Sequence, residues 1–167
     1  MSFQDLTLAD ALTVVDGMRQ WDRRVVAAML GDVGDEAFAV SRWQTDGPAW
    51  AVHQDGRPVA LGGVSFQNDW AAVCWLIATD EITPQTWRKL ARHARKVLAN
   101  ATSPAHEHYR HRVEAYTLGG WDAAAKFAQR FGFAHEGVRR GAGSGGEDLH
   151  MWAIVGPVKE KKCRQAM

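Results

Sequence analysis

Glu114 and Tyr116 stand two residues apart in His111–Leu118, a segment that reads as a β-strand. Alternation puts both side chains on one face, and a carboxylate beside a phenol can move protons. Asp80 and Glu81 form a second acidic pair at the end of an apolar run. For each acid the alternative is a solvated surface carboxylate. For Tyr116 it is a packed ring with a hydrogen-bonded hydroxyl. His106, His108 and His111 cluster near Glu107, and imidazoles bind metals. However, they lie in a loop leading into a strand, without cysteines or a helical His-x-x-x-His pair. No metal is expected there; His108 or His111 as a general base is a further alternative. Gly141-x-Gly143-x-x-Gly146 spells a dinucleotide-binding fingerprint. A strand follows it rather than a helix, so it reads as a hairpin turn that could overhang a cleft.

These residues need elements to position them. Thr7-x-x-Asp10 is a capping-box variant opening a helix with Leu8, Leu12, Val15 and Met18 at helical spacing. A second helix is expected from Asp22 to Leu30, with Val25 and Met29 facing in and Gly31 as its stop. Gly34-Asp35 is a break, and a short third helix covers Ala37 to Gln44. The period then changes. Ala49–Gln54 and Pro58–Gln67 read as strands around an Asp55-Gly56 hairpin turn. After Asn68-Asp69, Trp70–Thr79 is apolar on both faces and predicts a buried central strand. Thr83-Pro84 starts a helix with a stripe of Trp87, Leu90, Ala91, Ala94, Val97 and Leu98. Its opposite side carries Arg88, Lys89, Arg92, Arg95 and Lys96. Asn100–Arg110 is a loop, Asp122–Phe131 a helix, and Glu136–Arg140 with Asp148–Val155 a final hairpin. The order predicts an α/β fold with a mixed, mostly antiparallel central sheet flanked by helices. One domain is expected over 1–158, with a flexible basic tail over 159–167.

Bulk composition excludes some classes of function. The 167 residues suit one substantial core. A net charge of +1 gives no global pull toward nucleic acid or membrane, and a basic helix face alone usually means a solvated one. No apolar stretch is long enough to span a bilayer, and the start of the chain lacks a signal-peptide pattern. Cys74 in an apolar run and Cys163 in the charged tail are not expected to pair, which points to a reducing, intracellular compartment.

Ala124, Phe127, Ala128 and Phe131 share one face of the helix that begins after Trp121. Gly132 ends it, Phe133 follows, and Glu136-Gly137 leads to Arg139-Arg140. This string resembles the last helix and following strand of the GNAT superfamily of acyl-CoA N-acyltransferases. There, a Leu- or Phe-Gly-Phe turn continues into a Glu-Gly-x-x-Arg strand. The order of elements from Ala49 onward also matches, with Val73–Thr79 ahead of a long helix, over about two-thirds of the chain. Met18-Arg19-x-x-Asp22-Arg23 followed by Val26 is similar to the start of GNAT-like proteins of tailed phages, some of them virion or accessory proteins.

The resemblance implies transfer of an acetyl group from acetyl-CoA to a small-molecule or protein amine. An ammonium, with a pKa of ~10.4, must first lose a proton. Glu114 is the expected base, with Asp80 and Glu81 next, and Tyr116 the expected acid. Cofactor contacts are expected at Leu76, Ile77, Ala78, Thr79, Gln85, Thr86 and Arg88. Leu76, Ile77 and Ala78 would offer backbone groups to the pantetheine arm. Three departures weaken the expectation. The stretch from Ala78 to Trp87 has no glycine where the family has a Gly-rich phosphate loop, and Pro84 has no N–H. Asp80 and Glu81 would repel phosphates. Ala128 and Trp121 stand where many members have a Tyr and an Asn. Weak or absent acetyl-CoA binding is therefore expected, and the alternative is a catalytically degenerate GNAT-fold phage virion or accessory protein acting by binding. The expected location is the cytoplasm, that of a bacterial host or the virion if phage-encoded. A homodimer is one option for the assembly.

Overall fold

The computed structural model describes residues 1–158; the expected basic tail and Cys163 lie outside them. Seven strands form one sheet in the order β1-β2-β3-β4-β5-β7-β6. They are β1 (Ser2–Asp5), β2 (Ala49–Gln54), β3 (Arg57–Phe66), β4 (Ala71–Ala78), β5 (Arg112–Leu118), β6 (Ala134–Arg139) and β7 (Leu149–Val155). Every pairing is antiparallel except β4 with β5. A parallel pair needs a crossover, and α4 (Pro84–Ala101) supplies it. The β2–β3 hairpin turns through Asp55 and Gly56, at φ 53° and 81°. Positive φ at both central residues is the requirement of the type I′ turn that Asp-Gly favours.

The helices form two layers. α1 (Leu8–Asp16) and α3 (Asp35–Trp43) pack Val14, Val15 and Phe38 onto Ala51, Leu61 and Ile77. On the other face α4 and α5 (Asp122–Arg130) cover Val64, Ala72, Val113 and Ala78. α2 (Gln20–Leu30) sits over the ends of β5 and β7, where Ala28 meets Leu118 and Leu149. α5 ends as the sequence predicts. Gly132 takes φ 87°, its N–H reaches the Gln129 carbonyl at 3.0 Å, and the Phe133 N–H reaches Ala128 at 3.2 Å. That pair of bonds is a Schellman motif, and Phe133 is buried in the same cluster as Ala128.

Two tandem glycines in β3 make room for two indoles, one on each face. Cross-strand neighbours share a face, so Gly62 lies under Trp50 and Gly63 under Trp75. A Cβ at Gly62 would fall 2.4 Å from Trp50, and one at Gly63 would fall 2.5 Å from Trp75.

Several sequence expectations need correction. Met29 is 41% exposed rather than inward. The buried face of α2 runs through Trp21, Val25 and Ala28 at helical spacing, and Met29 lies a further ~100° round. Trp70 is 55% exposed and precedes β4. The Asn68 side chain accepts from the Trp70 and Ala71 N–H groups and holds the chain in a turn there. β6 starts at Ala134, before Glu136, and α2 starts at Gln20, before Asp22. β1 was not anticipated: Ser-Phe-Gln-Asp has no apolar alternation, and an edge strand needs only backbone pairing to β2. The Gly141–Gly146 turn does not overhang a cleft. Ser144 donates its N–H to Ala28 and its hydroxyl to Ala27, docking the turn on the last carbonyls of α2.

Replacing Gly62 by Ala is expected to lower stability by about 1–3 kcal/mol, because the rigid Trp50 ring must move. Urea denaturation checks this, and an unchanged midpoint would show that the ring accommodates the methyl group.

Candidate functional site

β4 and β5 pair only through Ala71–Val73 with Arg112–Glu114, after which they diverge. The Thr79 N–H bonds to Val59 of β3 at 2.9 Å. Alternation along an antiparallel ladder therefore turns the backbone groups of Ile77 and Thr79 toward β3, and those of Leu76 and Ala78 toward the gap. A cleft of about 500 Å³ fills the gap between α4 and α5. Its walls are apolar, with Leu76, Ala91, Ala94, Ala124, Phe127 and Phe131 among them. Trp75 and Tyr116, from the opposite sheet face, also line it, so the cleft passes through the split.

The connection between α1 and α2 closes the far end of the split. Met18 forms a bridge with Thr79. Arg19 N–H donates to the Ala78 carbonyl at 2.9 Å, and Ala78 N–H donates to Asp22 at 3.4 Å. Arg19 Nε also donates to Asp22 at 2.7 Å, with Asp22 only 3% exposed. Burial raises the Asp22 carboxyl above its ordinary range, and Arg19 and the Ala78 N–H oppose that rise. The Arg19 guanidinium stands over the rings of Trp87 and Trp121, at 5.1 and 5.6 Å from their centroids. Trp121 in turn stacks on Trp21.

The N-terminus of α4 lies beside the same strand end, but most of its donors are occupied. Gln54 Oε1 accepts from the Thr83 N–H at 3.1 Å, the Thr83 hydroxyl at 3.0 Å and the Thr86 hydroxyl at 2.7 Å. The Thr86 N–H donates to Thr83 Oγ1, as an N-cap requires. Gln54 Nε2 donates to the Glu81 carbonyl, completing a closed knot.

Glu114 and Tyr116 share a face as predicted, and the Tyr116 hydroxyl donates to Glu114 at 2.7 Å. Arg112 Nε donates to the other Glu114 oxygen, and its terminal nitrogens donate to Glu136. Each Glu114 oxygen thus already accepts a hydrogen bond. Burial pushes the Tyr116 phenol above its usual range, and the bond to Glu114 and its charge add to that, against Arg139 and Arg112. Arg112 holds Glu136 below the ordinary carboxylate range, and the two glutamates hold the guanidinium above its own. Tyr116 lines the cleft, whereas Glu114 does not.

The structure therefore divides the predicted cofactor residues. Leu76 presents backbone groups to the gap, and Arg88 lines the rim. Ala78 faces the gap but bonds Arg19 and Asp22. The backbone groups of Ile77 and Thr79 face β3. Thr86 is buried in the Gln54 knot, and Gln85 is exposed beside it. Sequence reasoning did not single out Arg19, Asp22, Gln54 or Arg112 as site residues. For Arg112 the signal was available, since the alternation that pairs Glu114 with Tyr116 also places Arg112 on that face.

No protein-family model matches the chain, and no curated protein sequence does. Solved structures match it closely in shape. The chain has the GNAT fold. It superposes on the yncA protein of Salmonella typhimurium, solved with its cofactor acetyl-CoA, with a TM-score of 0.69 at 14% identity, covering 98% of this chain and 99% of that one. The Escherichia coli ribosomal-protein-S18-alanine N-acetyltransferase gives 0.67 at 16% identity, over 96% and 97%. A point mutant of the Vibrio cholerae spermidine N-acetyltransferase SpeG gives 0.68 at 12%, over 93% and 95%. Against this GNAT fold, acetyl-CoA fits the site only in part. The apolar walls and the free edge at Leu76 suit an acyl-pantetheine arm. The diphosphate fits less well: free N–H groups at a helix N-terminus would hold it. Here Gln54 takes the Thr83 donors, Thr83 Oγ1 takes the Thr86 N–H and Pro84 has none, which leaves the Gln85 N–H, and Asp80 and Glu81 add negative charge.

Gln54→Leu is expected to cost about 1–3 kcal/mol by removing the acceptor shared by the Thr83 N–H and the Thr83 and Thr86 hydroxyls, as read by chemical denaturation. Glu114→Gln removes two of the causes that raise Tyr116, so its phenol should titrate at lower pH than in the parent. Carbon-13-labelled tyrosine, followed by NMR across alkaline pH, checks the shift; an unmoved Tyr116 would show that burial alone sets it.

Proposed function

We propose that this chain is a GNAT-fold protein that acts by binding, with the α4–α5 cleft as its ligand site, rather than by acetyl transfer from acetyl-CoA. One observation carries the reading: at the α4 N-terminus Gln54 takes the Thr83 N–H and the Thr83 and Thr86 hydroxyls, and Thr83 Oγ1 takes the Thr86 N–H, which leaves few donors for a diphosphate. Ala128 supports it, since α5 carries no hydroxyl there to protonate a leaving thiolate. So does Glu114, engaged by both Arg112 and Tyr116. A role as a phage virion or accessory protein belongs to this reading through the Met18–Val26 resemblance.

A second reading is N-acetyl transfer from acetyl-CoA to a small-molecule or protein amine, with Glu114 as base and Tyr116 as acid. The open edge of β4 at Leu76 and the Glu114–Tyr116 hydrogen bond favour it. Among the described residues no helix is long and apolar enough to cross a membrane, so neither reading involves a helical span there.

Calorimetry with acetyl-CoA, paired with thermal unfolding, separates the two. Binding without acyl-CoA chemistry predicts no saturable heat and no rise in Tm at millimolar ligand. Saturable stabilisation by acetyl-CoA would overturn the proposal in favour of the second reading.

A further inference from the structure

The ligand that the cleft takes can be narrowed further, on the basis of the binding role proposed above. Among the described residues, the cleft lining contains Arg19, Arg88 and Arg130 and no carboxylate. Arg88 and Arg130 are exposed at the rim. Arg19 is drawn in, with its side chain 23% exposed. Its Nε is committed to Asp22, while its two terminal nitrogens have no hydrogen-bond partner among the described residues. The flanking rings of Trp87 and Trp121 restrict the guanidinium from swinging away. A planar fork with two free donors, fixed in direction beside an apolar cavity, matches the two oxygens of a carboxylate. Asp22 already offsets part of the local positive charge, so a monoanion suits the site better than a multiply charged head.

We propose that the cleft binds an apolar-bodied carboxylic acid, with its carboxylate on the Arg19 fork and its body between α4 and α5 against Leu76, Ala91 and Phe127. Binding is non-covalent and no bond is made or broken.

The test titrates decanoate, decanol and acetyl-CoA into the full chain, followed by tryptophan emission and calorimetry. Decanoate should saturate the signal, with decanol weaker by about tenfold or more, the worth of a charge-assisted hydrogen bond. Arg19→Gln should erase the preference for the acid, and near-UV circular dichroism checks that the variant folds. Arg19→Lys keeps a cation for Asp22 but loses the fork, so it should lower the preference several-fold even if the Gln variant does not fold. Ala124→Trp fills the cleft without touching Arg19 and should abolish both affinities. Equal binding of acid and alcohol, or an acid preference untouched by both Arg19 variants, overturns the carboxylate assignment and leaves the binding role standing. No binding of decanoate overturns the inference. If acetyl-CoA saturates instead, the binding role falls with it.

Discussion

A strand whose neighbour diverges must satisfy the N–H and C=O groups of its open edge in some other way. β4 faces this after Val73, where its pairing with β5 stops. At Ala78 the solution is internal: the backbone of Arg19 and the carboxylate of Asp22 substitute for the missing strand. Between those two points the edge stays open, and the cleft occupies that interval. Its apolar walls follow from the crossover that a parallel pair requires, because α4 must lay an apolar stripe across the sheet. Cavity, crossover helix and buried acid all trace to the same short parallel ladder.

The polar groups around the cleft are mostly committed to one another, and this separates the GNAT scaffold from GNAT chemistry. Gln54 binds at the α4 N-terminus where the fold can hold an anion, while Arg112 and Tyr116 saturate the carboxylate on β5. A network satisfied in this way stabilises and rigidifies its surroundings. It leaves few groups available to a charged cofactor. Among the described residues, what stays uncommitted around the cleft is sparse: the Arg19 fork, the rim arginines Arg88 and Arg130, and the Leu76 edge.

Features with a local physical cause were legible in the sequence. The Schellman end of α5 needs only Gly132 and its flanking aromatics, and the β2–β3 turn needs only Asp55-Gly56. The Glu114–Tyr116 pair followed from strand alternation. Features that join distant segments were not legible. Gln54 reaches residues 29 and 32 positions later, and nothing about a glutamine before a hairpin turn announces that. The tandem Gly62-Gly63 is visible in the sequence, but its purpose depends on Trp50 and Trp75 arriving on opposite faces. Arg19 and Asp22 are neighbours along the chain, whereas Trp87 and Trp121, which hold the guanidinium, come from two other helices' starts. β1 escaped notice because four residues with a single apolar side chain, Phe3, are too few to show an alternation.

The docking of the Gly141–Gly146 turn onto α2 has a mechanical consequence. α2 is tied at its first turn to the end of β4 through Arg19 and Asp22, and at its last turn to the β6–β7 hairpin through Ser144. Those attachments lie on opposite sides of the split, so the helix acts as a tie-bar across it. The width of the opening is then set by the length of a stiff rod rather than by a hinge. Spreading the two halves of the sheet would first require α2 to break free at one end.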